Sequence, residues 1–242
     1  MSAPLSRRLL AEYLGSALLA AVVIGSGIAA EQLSTDPGLR LLESAAATAA
    51  GLFAIILMFG PVSGGHFNPV VSLVDAAFGG LSRRDALAYI PAQVAGCISG
   101  AVVANAMFAL PAVSIATTHR ASPAHAFAEI VATAGLVLLI FALARSGRGP
   151  SAPAAVGAYI GAAYWFTSST SFANPAITAG RMFSDTFAGI APASAPAFVV
   201  AQLLGGAAAF GLIRALYPDV TPGDAAQVVV PHRDIVSRGA AP

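Results

Sequence analysis

Two short stretches of the sequence constrain how the whole chain can fold. Asn68-Pro69 follows a Gly-rich segment, and Asn174-Pro175 follows a polar one. Asn is a preferred N-cap residue and Pro is favoured at the first helical position, so each stretch predicts a loop that becomes a helix at the Asn. The first helix can run from Pro69 to about Phe78. A helix of that length rises about 15 Å, which is about half of the hydrocarbon core of a bilayer.

The composition places these half-length helices in a membrane. Apolar residues make up 57% of the chain and charged residues 10%, whereas soluble domains carry about 25% charged residues. The apolar segments are approximately 9–30, 39–59, 87–109, 125–145, 153–167 and 195–216. They lack the polar faces of soluble helices, and most are long enough to span a bilayer. We therefore predict an all-α membrane protein with six spanning helices and two re-entrant half-helices.

The first apolar run could be mistaken for a signal peptide. It extends from Leu9 to Ala30 and contains Glu12, which makes it too long and too polar for that role, so we interpret it as the first span. Most of the Arg residues lie on one side of the predicted spans, which favours a location of both termini in the cytoplasm. We expect one channel-type domain over 1–216 and a polar C-terminal tail over 217–242.

The order of motifs occurs twice, over about 8–109 and about 125–216. Each copy has a helix with a Glu inside its apolar run, a second helix, an Asn-Pro half-helix and a helix with Gln-x-x-Gly. Three spans per copy force the second copy to enter the membrane from the opposite side, which is an inverted repeat. A duplicated helix pair in a transporter is the alternative. Small residues four apart predict close helix crossings; these pairs are Gly96 and Gly100, Gly157 and Gly161, and Gly205 and Ala209.

Several other function classes have little support in the sequence. The net charge is +1 and no basic face is present, which argues against nucleic acid as a partner. Cys97 is the single cysteine, so an internal disulfide and a multi-Cys metal site are excluded. No nucleophile with a base, metal cluster or phosphate-binding loop is recognisable. We therefore expect no enzyme activity, no catalytic residues, no metal and no cofactor; the expected partners are membrane lipid and small neutral solutes.

The loops before the two Asn residues are candidates for the wall of a pore. Backbone groups at membrane depth must be hydrogen-bonded or line water. Their carbonyls therefore predict a ladder of acceptors, at Gly64, Gly65, His66, Thr170, Phe172 and Ala173. Each Asn oxygen can cap its own helix, which leaves the amide N–H groups for a solute. The positive ends of both half-helices would repel cations near the midplane. An ordinary turn is the alternative for a single Asn-Pro.

The two loops resemble a known family. Ser63-Gly64-Gly65-His66-Phe67-Asn68-Pro69-Val70 and Ser171-Phe172-Ala173-Asn174-Pro175-Ala176 are similar to the signature loops of the aquaporin and aquaglyceroporin (major intrinsic protein) family. The resemblance covers about residues 8 to 216. It implies an aquaporin-like fold and a homotetramer in which each protomer has its own pore for uncharged solutes. It also implies a pore midplane at Asn68, Asn174, Val70 and Ala176, where Val70 departs from the usual Ala.

The resemblance also assigns roles to the two glutamates within the apolar segments. It implies that Glu12 and Glu129 accept hydrogen bonds from backbone N–H groups of the two loops. The alternative is a proton relay in a coupled transporter, which His125, one turn before Glu129, could extend. We interpret His66 as a residue that fixes its loop rather than as a pH gate.

The resemblance locates the outer constriction as well. The family places an Arg three residues after the second Asn, where this chain has Ile177. The other constriction positions fall on Thr48, Ala162 and Ser171, none of which is aromatic or His. Without the Arg and with these small residues, the sequence predicts a wide filter. Arg181 is either a displaced gate or a mouth residue paired with Asp185, and the sequence leaves both open.

The residues after the second loop narrow the resemblance further. The run Arg181-Met182-Phe183-Ser184-Asp185-Thr186-Phe187-Ala188-Gly189-Ile190 resembles the bacterial aquaglyceroporin branch associated with arsenic-resistance operons. That resemblance implies neutral arsenous acid as a solute, while a wide filter would equally admit glycerol, boric acid or urea. A strictly water-selective pore is the alternative.

Overall fold

The computed structural model describes residues 3–219 and 221, and these residues form helices joined by loops without any strand. The helices are α1 (Leu5–Leu33), α2 (Pro37–Ser63), α3 (Pro69–Phe78), α4 (Arg83–Met107), α5 (Pro123–Arg145), α6 (Ala152–Phe166), α7 (Pro175–Arg181) and α8 (Ala195–Leu216). Within this part of the chain, α1, α2, α4, α5 and α8 are long and apolar enough to cross a membrane. The predicted all-α membrane fold with two half-helices is confirmed. The tail expected over 217–242 lies almost entirely outside the described residues.

The fifth predicted span is shorter than the others. Helix α6 has 15 residues and follows a 3₁₀ turn of three residues at Gly149–Ser151, which together make a helical run of 18 residues. That run lies at the lower end of the length that a bilayer needs, about 17–25 residues.

The two halves of the chain use equivalent helix crossings. In the first half, a Cβ added at Gly100 of α4 would lie 2.1 Å from the Ala17 carbonyl oxygen of α1. In the second half, a Cβ at Gly205 of α8 would lie 2.6 Å from the Ile130 carbonyl oxygen of α5. Only glycine allows the backbones to approach so closely. The small residues four apart that the sequence analysis identified therefore mark real crossings.

Gly100→Ala is expected to destabilise the protein, because its Cβ would meet backbone and not a movable side chain. Overpacking of this kind costs about 1–3 kcal/mol, which exceeds the gain of up to about 1 kcal/mol that alanine brings to a helix interior. Gly211→Ala in α8 is the matched control, since nothing lies within 4 Å of its added Cβ. Thermal unfolding in detergent should show a lower midpoint for Gly100→Ala and an unchanged or higher one for Gly211→Ala. Equal midpoints would contradict the close crossing.

Candidate functional site

The two Asn residues begin the half-helices, as their sequence context predicts. Oδ1 of Asn68 accepts a hydrogen bond from the Val70 N–H at 2.9 Å, at the start of α3. Oδ1 of Asn174 accepts one from the Ala176 N–H at 2.9 Å, at the start of α7. Both side chains thus satisfy N–H groups that a helix N-terminus leaves without partners.

The same two side chains also join the loops to each other. Nδ2 of Asn68 donates to the Ala173 carbonyl at 2.8 Å, and Nδ2 of Asn174 donates to the Phe67 carbonyl at 2.7 Å. The expectation that both amide N–H groups remain free for a solute is therefore wrong: the opposite loop takes one from each. An amide carries two N–H groups, and the second of each amide has no acceptor among the described residues.

The first loop is held by a buried carboxylate. Glu12 accepts four hydrogen bonds: from Ser63 Oγ at 2.6 Å, from the backbone N–H groups of His66 at 3.0 Å and Phe67 at 2.7 Å, and from Gln93 Nε2 at 2.8 Å. Glu12 is fully buried, and an ionised carboxylate at this depth requires such a set of donors.

The second loop is held in the same way. Glu129 accepts from the backbone N–H groups of Phe172 and Ala173, both at 2.8 Å, and from Gln202 Nε2 at 2.7 Å. His125 makes no hydrogen bond to Glu129, and its Nδ1 has no partner among the described residues. The geometry therefore does not support a proton relay that continues from Glu129 through His125.

These carboxylates stabilise a strained loop backbone. Phe67 has φ 47° and Ala173 has φ 50°, both in the left-handed region that side chains other than glycine rarely adopt. Such residues cost about 1–3 kcal/mol each and persist only where their surroundings enforce them. Here the N–H groups of both residues donate to a carboxylate, and their carbonyls accept from an Asn amide.

A narrow cavity of about 60 Å³ passes the two loops. Its lining residues are Leu19, Val23, Thr48, Leu52, Ile56, Gly65, His66, Phe67, Asn68, Val71, Leu136, Ile140, Val156, Ile160, Tyr164, Ser171, Phe172, Asn174, Ile177 and Arg181. A buried water needs about 10–15 Å³ on this measure, so the cavity has room for roughly four to six water molecules. Its wall is mostly apolar, with polar groups from the loops, α2, α6 and α7.

Several residues predicted in the pore wall lie behind it. Neither Val70 nor Ala176 lines the cavity. Val70 packs on α8 instead, where its Cγ1 lies 2.4 Å from the position of an added Cβ on Gly206. Among the predicted loop carbonyls, Gly65, His66 and Phe172 belong to lining residues, whereas Gly64, Thr170 and Ala173 do not. The Ala173 carbonyl is occupied by Asn68.

The predicted constriction is wrong at one of its four positions. Thr48, Ser171 and Ile177 line the cavity, but Ala162 does not and is exposed on the outside of α6. Tyr164 lines the cavity in its place, and its hydroxyl lies 3.2 Å from Oγ1 of Thr48. Residues two positions apart on a helix are about 200° apart around its axis, so Ala162 and Tyr164 face opposite directions. The cavity wall therefore has an aromatic residue, Tyr164, at a position outside the predicted four.

Arg181 lies in the cavity wall at the α7 end. Its side chain is buried, its Nε donates to the Ala188 carbonyl, and its Cζ lies 3.4 Å from the ring centroid of Phe172. Asp185 instead accepts two hydrogen bonds from Thr117. The mouth-residue alternative, in which Arg181 pairs with Asp185, is therefore wrong.

Arg120 supports the same end of the cavity from a loop. It donates to the carbonyls of Gly189 at 3.0 Å and Phe187 at 3.1 Å, and its Cζ lies 5.5 Å from the ring centroid of Phe172. Burial lowers the pKa of the Arg120 guanidinium from its ordinary value, but a guanidinium stays protonated in proteins. No sequence pattern places Arg120 at the site, because only the fold brings its loop to Phe172.

The fold and this cavity define the class of protein: a multi-pass membrane channel in which two half-helices meet at reciprocal Asn contacts. A sequence profile described as Major intrinsic protein matches residues 1–173. Aquaglyceroporin AqpS of Rhizobium meliloti is 49% identical over 218 residues, which cover 90% of this chain and 93% of that protein. The chain belongs to the major intrinsic protein family and is a channel protein, not an enzyme.

Two further comparisons agree with this assignment. The glycerol uptake facilitator protein of Pseudomonas aeruginosa is 32% identical over 257 aligned positions, covering 90% of this chain and 91% of that protein. The X-ray structure of the aquaglyceroporin from Plasmodium falciparum superposes with a TM-score of 0.71 at 18% identity, covering 90% of this chain and 99% of that one. The second comparison bears on the fold alone.

Proposed function

We propose that the protein is a passive channel for small uncharged solutes, which include water, glycerol-like polyols and neutral metalloid acids such as arsenous acid. The observation that carries the proposal is the cavity wall, in which Asn68 and Asn174 each keep one amide N–H without an acceptor among the described residues. A hydroxyl-bearing solute or water can accept these hydrogen bonds. The two relatives named as an aquaglyceroporin and a glycerol uptake facilitator support glycerol-like solutes.

In the proposed filter, the positively charged side chain is at Arg181 and not at position 177. Thr48 and Ser171 are small and polar, and Ile177 carries no charge. Arg181 supplies the guanidinium one turn further along the helix, against Phe172. The structure records no hydrogen bond from its Nη groups to the described residues, so they can contact a solute. We infer that this arrangement leaves a wider opening than an Arg at position 177 would.

Ile177→Arg is expected to narrow the range of solutes toward water, because a second guanidinium would enter the cavity wall. Stopped-flow swelling of proteoliposomes with water, glycerol, urea, boric acid and arsenous acid measures this range. Ile177→Met is the matched control, since it adds an unbranched side chain without charge and should keep the wild-type order of solutes. Water permeation with complete exclusion of the other four solutes by the wild type would contradict the proposal.

The assembly and orientation are part of the same proposal. We infer a homotetramer in a bacterial inner membrane with both termini cytoplasmic, from the family and from the Arg distribution. In this orientation, the α3 end of the cavity faces the cytoplasm and the α7 end faces outward.

A further inference from the structure

The two repeats place opposite charges at equivalent positions beside the cavity. Asp75 lies seven residues after Asn68, and Arg181 lies seven residues after Asn174. Both side chains are buried, with 1% and 3% exposure respectively. A lone ionisable residue at membrane depth is costly and is usually functional. Arg181 lies in the cavity wall, whereas the corresponding acid of the other half has no role in the function described so far.

Each of these residues contacts the residue two before its Asn. Arg181 stacks on Phe172 with Cζ 3.4 Å from the ring centroid. Asp75 faces His66, with Oδ2 at 3.6 Å from Nε2. Both Phe172 and His66 line the cavity. The two repeats therefore place equivalent pairs of residues in contact. In the repeat that contains α3, the pair is a carboxyl group and an imidazole ring.

The contact between Asp75 and His66 depends on a proton. Its length exceeds that of a hydrogen bond but lies in the range of an ion pair. Nε2 without a proton and a carboxylate are both acceptors and would repel each other, so the contact is attractive only while one proton lies between them. Nδ1 of the same imidazole lies 3.0 Å from Ser72 Oγ. Oδ1 of Asp75 is buried without a hydrogen-bond partner among the described residues, so the imidazole is the main polar neighbour of this carboxyl.

The surrounding charged groups are already engaged. On α1, α4, α7 and α8, the fully or partly buried titratable side chains are Glu12, Arg8, Tyr13, Tyr89, Asp85, Cys97 and Arg181, whereas Arg7, Glu31, Arg83, Arg84 and Arg214 are exposed. Glu12 holds four donors, Arg8 pairs with Asp85 at 2.7 Å, and the Tyr89 hydroxyl donates to the Ser63 carbonyl at 2.9 Å. Arg214 lies over Phe210, and Arg181 belongs to the opposite end of the cavity.

We propose that Asp75 is a positioning residue for the cytoplasmic half of the pore: it holds the His66 imidazole against the cavity wall through one shared proton. The cavity has a volume of only about 60 Å³, so an imidazole that turns inward obstructs the path. This inference rests on the proposed channel function, but not on which solute besides water passes.

The test is the pH profile of water permeability in proteoliposomes with equal pH on both sides. The wild-type rate should fall as the pH is raised, because loss of the shared proton leaves two acceptors facing each other. Asp75→Asn should remove this alkaline loss, since its amide N–H can donate to Nε2 without a proton and its carbonyl oxygen can accept from a protonated Nε2. Asp75→Leu removes the carboxyl group that faces Nε2 and should lower the rate severalfold at neutral pH.

The controls separate positioning from folding and from channel activity. Asp85→Asn removes a carboxyl near the same membrane face without touching His66 and should keep the wild-type profile. Helicity and thermal unfolding of each variant show whether it is folded, and the Asp75→Asn profile remains decisive even where Asp75→Leu does not fold. An alkaline loss that persists in Asp75→Asn, or a wild-type rate that is independent of pH, would overturn the proposal. Absence of any water permeability in the wild type would instead overturn the channel function.

Discussion

Replacing Glu12 by leucine is expected to unfold the protein or to prevent its assembly. The carboxylate accepts from Ser63, His66, Phe67 and Gln93. Leucine would leave the backbone N–H groups of His66 and Phe67 without an acceptor, while Ser63 and Gln93 would keep only their second acceptors, the Phe59 carbonyl and Ser72 Oγ. Each orphaned donor costs about 1–3 kcal/mol, so the loss from the two backbone groups amounts to about 2–6 kcal/mol. Proteins are stable by only about 5–15 kcal/mol in total. The yield of folded protein in detergent and its thermal unfolding midpoint measure the effect.

Glu12→Gln separates the loss of the acceptor from the loss of charge. Glutamine keeps one carbonyl oxygen that accepts from the loop, so this variant should fold with a smaller loss of stability and retain part of the water permeability. Glu129→Leu should resemble Glu12→Leu in direction, because the Phe172 and Ala173 N–H groups lose their acceptor, while Gln202 keeps Thr178 Oγ1. A Glu12→Gln protein that folds normally and conducts nothing would favour the proton-relay interpretation.

Local chemistry explains why the half-helices could be predicted from sequence. Helix α3 extends from Pro69 to Phe78, as expected, because the Asn cap, the Pro at the first position and the glycine after Phe78 act within a few residues. The close crossings were also predictable, since small residues four apart fall on one helix face. Both features can be predicted without knowing which helices contact each other.

The parts of the site that depend on tertiary packing could not be predicted in this way. Whether Ala162 or Tyr164 faces the cavity depends on how α6 rotates against its neighbours, and a two-residue shift moves a side chain from pore to lipid. The bonds from the Asn amides to the opposite loop require both loops to meet. Asp75 was missed because α3 was treated as an apolar helix; a signal was present in its spacing from Asn68, which equals that of Arg181 from Asn174.

Arg181→Leu is expected to weaken the exclusion of cations. Arg181 lies in the cavity wall, and its guanidinium stacks on Phe172. A cation that passes within about 4 Å of a unit positive charge is repelled by about 4 kcal/mol at an effective dielectric constant of about 20. Each 1.4 kcal/mol corresponds to about a tenfold change, so the leak of protons or alkali cations could rise by up to about a thousandfold. Decay of an imposed pH or salt gradient in proteoliposomes measures this leak.

Two matched variants show whether the charge or the shape of Arg181 acts. Arg181→Lys keeps the positive charge but loses the planar group that stacks on Phe172 and donates to Ala188. It should therefore keep the leak low while admitting glycerol-sized solutes faster than the wild type does. Arg40→Gln removes a positive charge that does not line the cavity and should change neither quantity. If Arg181→Leu still excludes cations, the half-helix N-termini are a sufficient barrier. Arg181 then determines the width of the opening and not the exclusion of cations.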